Sequence, residues 1–169
     1  MDALEAINTR RSIRAYSARP VSLDRVRELV RAAMHAPSAG NEQPWHFIIL
    51  TERAILDRIP DFHPHAGMVA EAPVAVLVCA DPRQEKHPGM WVQDLAAATQ
   101  NLLLAAHAMG LGAVWVGIHP REERIQALRE LIPMPEAIVP FALVPLGYPT
   151  EQTESEDRFR PELIHTNVW

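Results

Sequence analysis

The sequence has one lysine among its 16 basic residues, Lys86, and one cysteine, Cys79. A lone cysteine excludes an intramolecular disulfide. Cys79 lies in the apolar run that begins Val74, Ala75, Val76, Leu77, Val78, and reads as a small buried side chain rather than a nucleophile or redox centre. The sequence has no apolar stretch fit to span a bilayer: its longest apolar region, Val92 to Met109, is broken by Asp94, Gln100, Asn101 and His107. Surplus positive charge is also lacking. The net charge of −5 disfavours non-specific nucleic-acid binding. The first residues carry Asp2 and Glu5 where a secretory signal would have a basic and then an apolar segment. The expected location is therefore the reducing cytoplasm. No internal repeat is visible.

What is present fits one domain, residues 1–169, able to bury about 70% of its unfolded surface. Hydrophobic residues make up 48% and charged residues 22%, the balance of an ordinary globular chain. Fifteen prolines divide it into short elements. Asp2 to Asn8 reads as a short helix capped by Asp2, with Glu5 three residues on and Leu4 and Ile7 on one face. Ser22 is the expected cap of a second helix bearing Leu23, Val26, Leu29, Val30 and Ala33, stopped by Pro37. Residues 38–44 are turn formers and read as a polar loop. His46 to Leu50 reads as a strand, Thr51 as the cap of a short helix reaching Ile59, and Asp61 to Gly67 as irregular.

Val74 to Ala80, apolar throughout, reads as a central strand. Trp91 to Met109 is the longest predicted helix. Gln93, Gln100 and His107 recur on it every seven positions, with Asp94 and Asn101 beside them, leaving one narrow polar stripe. Such a helix is buried on several sides, and in so small a protein a second subunit is the expected extra cover. Gly110 is a natural left-handed cap for it. Ala113 to Ile118 reads as a third strand, and Pro120 opens a helix with Ile125, Leu128 and Leu131. Ile138 to Leu146 reads as a fourth strand, partly an edge because of Pro140 and Pro145. Residues 151–169 form an acidic linker, Glu151 to Asp157, and an arm from Phe159 to Trp169. Leu163, Ile164, Val168 and Trp169 give that arm an apolar character that calls for a docking surface. The expected class is α+β, a mixed central sheet flanked by helices.

The densest chemistry lies in Arg10, Arg11, Ser12, Ile13 and Arg14. Three guanidinium groups and a hydroxyl fall within five residues of an acidic protein. Like charges this close are tolerated when fully solvated or when an anion sits among them, and the planar guanidinium fork matches phosphate oxygens. Arg158 and Arg160 form a second pair far along the chain. His63, His65 and His87 match no closed metal spacing, so they read as surface residues and no metal site is expected. Asp94 reads as a favourable charge near a helix N-terminus. Trp45, Trp91 and Trp115 read as core or interface.

One ordered set of motifs goes further: Arg10-Arg11-Ser12-Ile13-Arg14, then Pro37-Ser38-Ala39-Gly40-Asn41-Glu42-Gln43-Pro44-Trp45, then Asp94 through Leu102 running into Gly110-Leu111-Gly112, then Arg158-Phe159-Arg160-Pro161. Over nearly the whole chain this order resembles the FMN-dependent nitroreductase family. The resemblance implies an intertwined homodimer, with the long helix at its interface and one FMN per subunit between the chains. It implies NAD(P)H as hydride donor. An electron-poor acceptor, of nitroaromatic or quinone type, then uses the same pocket in ping-pong order. Two alternatives stay open: a flavoenzyme for one metabolite (dehalogenation, enone reduction or flavin breakdown), or an FMN-binding protein without turnover.

Carried over residue by residue, Arg10 and Ser12 resemble phosphate and ribityl contacts, with Arg11 beside them. Arg158 and Arg160 match the basic pair on the phosphate. Arg14 matches the cation near the flavin pyrimidine edge, where reduced flavin carries negative charge. Pro37, Ser38 and Ala39 resemble the segment reaching the flavin from the other subunit, with Asn41 and Gln43 as polar ligands. Trp115, Val116 and Gly117 match the strand end facing the ring, and a backbone N–H of Val116 or Gly117 is expected near N5. No side chain is named as acid or base, because the flavin carries the chemistry. The sequence departs from the family in its brevity. No further polar flavin ligand is evident between Ile59 and Ala72, and no insertion before Ala113 forms a helical lid. The pocket is expected to be open, or covered by the His/Pro-rich loop 61–67.

Overall fold

The computed structural model describes residues 1–169. Helix α1 (Ala3–Thr9) begins at Asp2, whose carboxylate accepts the Glu5 N–H at 2.8 Å. Helix α2 (Leu23–Met34) begins at Ser22, whose hydroxyl accepts the Arg25 N–H, and it buries Val26, Leu29 and Ala33. Both starts satisfy orphan helix donors with the side chains expected. Strand β1 (Trp45–Leu50) is followed by two short helices, α3 (Arg53–Leu56) and α4 (Ile59–Phe62), rather than one. Thr51 is not the cap. Glu52 holds that position and no side chain closes it. The stretch 61–67 is not wholly irregular either, because α4 runs into it and a 3-10 turn, Gly67–Ala70, follows.

Strand β2 (Val74–Ala80), helix α5 (Trp91–Ala108), strands β3 (Gly112–Ala113) and β4 (Val116–Gly117), helix α6 (Glu122–Leu131) and strand β5 (Val139–Gly147) complete the fold. The sheet runs β1-β2-β5-β3, with β4 also on β5, and every pairing is antiparallel. The α+β class holds, but the sheet is not mixed. The crossover from β2 through α5 to β3 does return the chain in the same direction. It skips one place, however, and β5 fills that place running the other way.

Strand β5 is therefore central, not partly an edge. Its prolines lack only an N–H: the Pro145 carbonyl still accepts the Val114 N–H, and Pro140 sits where the register slips beside Val78 and Cys79. On the far side of β5 the expected third strand is broken into β3 and β4, with Val114 and Trp115 between them. Strand β2 is buried along its whole length. Val74, Val76, Val78 and Ala80 face the core under α2 and α5, while Ala75, Leu77 and Cys79 face the core under α4 and α6. Burial pushes the Cys79 thiol up to about 12, so it stays protonated and inert. No helix is long and apolar enough to cross a membrane.

The polar stripe of α5 ties other elements to it. Asp94 accepts the Ala39 N–H at 2.9 Å, Asn101 donates to the Ala32 carbonyl, and His107 pairs with the Thr9 hydroxyl at 2.8 Å. Gly110 closes the helix at φ 72°, the left-handed value expected. The apolar residues of α1 and the arm lie open: Leu4 is 72% exposed, Ile164 63% and Trp169 100%.

Strand β3 is closely packed at Gly112. The Ile13 N–H donates to the Ala113 carbonyl at 3.0 Å, and the Ile13 side chain lies over Gly112. A Cβ built on Gly112 would meet Ile13 Cγ2 at 2.5 Å. Gly112→Ala is therefore predicted to lower stability by about 1–3 kcal/mol through overpacking. Urea unfolding checks this, and a wild-type midpoint in the variant would contradict it.

Candidate functional site

Ile13 divides the arginine cluster. Four residues of chain span at most about 14 Å, and the two ends of Arg10–Arg14 open onto different clefts. The first cleft, about 670 Å3, lies between α1 and the linker and is lined by Asn8, Arg10, Arg11, Ser155, Glu156 and Arg158 among others. Arg10 and Arg158, far apart in sequence, meet here. Burial, and then the charges of Arg158 and Arg11, press the Arg10 pKa below the usual guanidinium value. An anion in this cleft would relieve that repulsion.

Arg11, expected beside a ligand, is spent on the protein itself. Its guanidinium donates to the carbonyls of Asn8, Arg10, Glu154 and Glu156 at 2.7–3.2 Å. It fastens the C-terminal linker across the cleft and has little left for an anion. Ser12 is half-buried and makes no side-chain hydrogen bond within the chain. Arg160 lies exposed at the start of a 3-10 turn and does not line the cleft. Glu151 belongs to the acidic linker, yet its carboxylate accepts the backbone N–H groups of Arg14 and Ala15. It fixes the segment from which Arg14 projects, and nothing in the local sequence marks it for that task.

The second cleft, about 410 Å3, brings Arg14 together with Trp115, Val116 and Gly117, as expected, and adds His63, His65 and Arg124. Of the three histidines read as surface residues, His63 is 2% exposed. Its Nε2–H donates to the Gly117 carbonyl at 2.9 Å, and its Nδ1 accepts the His65 N–H at 3.3 Å. Those two bonds assign the neutral Nε2–H tautomer. The Gly117 oxygen also accepts from Arg124 at 2.8 Å. In an antiparallel ladder the N–H and C=O of one residue point to the same side. Gly117 turns its carbonyl away from β5, so its N–H points away as well, and Gly117 rather than Val116 offers the free donor. A Cβ on Gly117 would meet nothing within 4 Å, so open space lies over this residue.

No residue of 37–43 lines either cleft. That loop is held in a constrained shape. Gly40, Asn41 and Gln43 all have positive φ, between 51° and 55°. Asp94 anchors Ala39, the Ser38 hydroxyl accepts the Gln43 N–H, and the Gln43 amide donates to Asn41. Asp94 is thus an anchor of the loop as well as a helix-start charge. Its Oδ2 is buried without a partner.

The pH response follows from the histidines. Burial, reinforced by the charge of Arg124 and opposed by the bond to Gly117, holds the His63 pKa below its usual 6.5. Burial, with Arg10 and Arg11, does the same to His107. The unfolded chain therefore binds these protons more readily, and folded stability falls as the pH drops below about 6.5. Urea midpoints at about pH 7.5 and about pH 5.5 are predicted to differ in that direction, and His63→Gln to narrow the gap. An unchanged gap in the variant would contradict the buried neutral imidazole.

Known proteins share this sequence family and this fold. A family model described as Nitroreductase family matches residues 7–65 and 62–148. A protein of Methanothermobacter thermautotrophicus, provisionally named NADH dehydrogenase/NAD(P)H nitroreductase, is 51% identical over 169 residues, covering 100% of this chain and 88% of the relative. A crystal structure from Parabacteroides distasonis with the same provisional name superposes at a TM-score of 0.94, with 40% identity and 98% of each chain covered. A provisionally named nitroreductase of Desulfovibrio desulfuricans, solved in complex with FMN, superposes at 0.83 with 33% identity, covering 100% of this chain and 99% of that one. The chain belongs to the nitroreductase family.

Proposed function

We propose that this chain is an FMN-dependent oxidoreductase that draws on NAD(P)H and reduces an electron-poor acceptor of nitroaromatic or quinone type. One observation carries the reading. A single short segment, Arg10 to Arg14, opens at one end onto a cleft with a second arginine and at the other onto a cleft with a bare backbone edge. A phosphate at one end of a linear chain and a flat ring at the other match that layout.

The residues present fit the cofactor at both ends. Arg10 and Arg158 offer paired guanidinium forks to a dianion whose charge would offset their mutual repulsion. Ser12, with an unused hydroxyl, lies between the two ends for the ribityl chain. Over Gly117 there is room for a ring to approach the backbone, which a side chain would take away. FMN, when bound, supplies the two-electron redox chemistry. The protein's part is placement and charge. Arg14 would offer a permanent cation to a ring held in the second cleft, where it would favour negative charge. The Gly117 N–H offers a fixed donor at the ring edge. Donor and acceptor occupy the open second cleft in turn, which is the ping-pong order.

A homodimer completes the site. The loop 37–43, held rigid and outside both clefts of its own chain, reaches the flavin of the partner. Pro37, Ser38 and Ala39 supply its backbone, and Asn41 and Gln43 its polar groups. The exposed arm from Phe159 to Trp169, with Arg160 near its root, packs on the partner, where its apolar residues lose their exposure to water.

Three outcomes test this. The purified protein, loaded with FMN, shows a flavin spectrum that bleaches on anaerobic NAD(P)H and recovers with an acceptor. Arg10→Ala and Arg158→Ala each weaken FMN binding by about 1.5–3 kcal/mol, the worth of a charge-assisted hydrogen bond. Arg14→Ala lowers the flavin reduction potential. A chain that cannot be loaded with FMN would end the proposal. Parent-like affinity in both phosphate variants would refute the phosphate assignment, and an unchanged potential would remove Arg14 from its role.

A further inference from the structure

We infer that Arg11 is a positioning residue for the phosphate site: it latches the C-terminal linker to the end of α1 and so holds Arg158 beside Arg10 in the first cleft. The inference rests on the proposed function and gives Arg11 a task that involves no contact with the ligand.

Residues 152–158 have little of their own to keep them in place. None lies in a helix or strand, and none is buried. Two bonds from Arg11, Nε to the Glu154 carbonyl and Nη2 to the Glu156 carbonyl, each at 3.2 Å, are the only hydrogen bonds that join them to residues 1–150. The same guanidinium holds the body of the protein with its remaining nitrogen. Nη1 donates to the carbonyls of Asn8 and Arg10, at 3.1 Å and 2.7 Å, where α1 ends. One planar fork, its donors spread over three nitrogens, therefore ties two segments together.

The charges around it show why a tie is needed. Arg158 follows Glu156 by two residues and lines the same cleft as Arg10. Burial, then the charges of Arg158 and Arg11, press the Arg10 pKa below its usual value. With no anion present, that repulsion drives Arg158, and the linker that carries it, away from Arg10. A linker free to leave would have to be ordered again when the phosphate binds, at a cost in affinity. A latched one presents both guanidinium groups in advance.

A double-mutant cycle tests the latch. FMN affinity is measured for the parent chain, Arg11→Met, Arg158→Ala and the double variant. Arg11→Met is expected to weaken binding about tenfold where Arg158 is present and about threefold or less where it is absent, because the latch then has no phosphate contact to place. Arg11→Lys keeps the charge but has one nitrogen for carbonyls on two segments, and is expected to follow Arg11→Met. In the FMN-free proteins, backbone NMR order parameters of residues 152–158 are expected to fall in both Arg11 variants. Equal losses of affinity in the two backgrounds would make Arg11 a phosphate contact in its own right and overturn the inference. Parent-like affinity in Arg11→Lys would overturn it too, by leaving charge as the whole role of Arg11. So would a linker as ordered without Arg11 as with it. Should Arg11→Met not fold, Arg11→Lys completes the same cycle. A parent chain that binds no FMN would overturn the functional reading and this inference with it. That result is distinct from a parent that binds FMN while the two losses are equal, which overturns the inference alone.

Discussion

The functional surface depends on where Ile13 is forced to lie. Its N–H is taken by the Ala113 carbonyl, its own carbonyl is within 2.6 Å of the Tyr16 hydroxyl, and its side chain fills the space that Gly112 leaves bare. The chain beyond it is held as firmly: Tyr16 bridges to Pro149, Thr150 donates to Ala15, and Glu151 takes the N–H groups of Arg14 and Ala15. With the middle of the segment fixed to the end of the sheet, Arg10 lines one cleft and Arg14 another. The separation of the first cleft from the second follows from that one attachment.

A second consequence concerns the long helix. A helix of this length, apolar over most of its circumference, would pack as well in several rotations. Asp94, Asn101 and His107 remove that freedom, since each bonds to a different element: the 37–43 loop, α2 and α1. The same polar residues that orient the helix therefore set the loop on one side and the root of the arginine segment on the other. Burying a polar group is costly unless it is paired. The stripe thus selects one packing out of those that the apolar faces alone would allow.

Much of this was legible in the chain. Asp2 and Ser22 act locally on the next turn, so the helices they cap could be read directly. The apolar run from Val74 to Ala80 announced a strand buried on both faces. That Arg10 lies with Arg158, and Arg14 with Gly117, was legible because their motifs occur in a known order. What escaped was set by distance. Strand β5 looked like an edge because proline hints at a missing donor. Whether that donor is needed depends on a neighbour that is not visible in sequence. His63 looked like a surface residue because Pro64 and His65 surround it, and only the fold brings Gly117 and Arg124 to it. Arg11 looked like a ligand because it lies between two others, until the linker carbonyls of Glu154 and Glu156 claimed it.

The most direct measurement of the central claim is a crystal structure of the protein loaded with FMN. The account predicts the phosphate between Arg10 and Arg158, the ring over Gly117 with Arg14 beside its pyrimidine edge, and the 37–43 loop of the partner subunit against the same flavin. A phosphate bound away from Arg10 and Arg158, or a ring that leaves Gly117 uncovered, would contradict it.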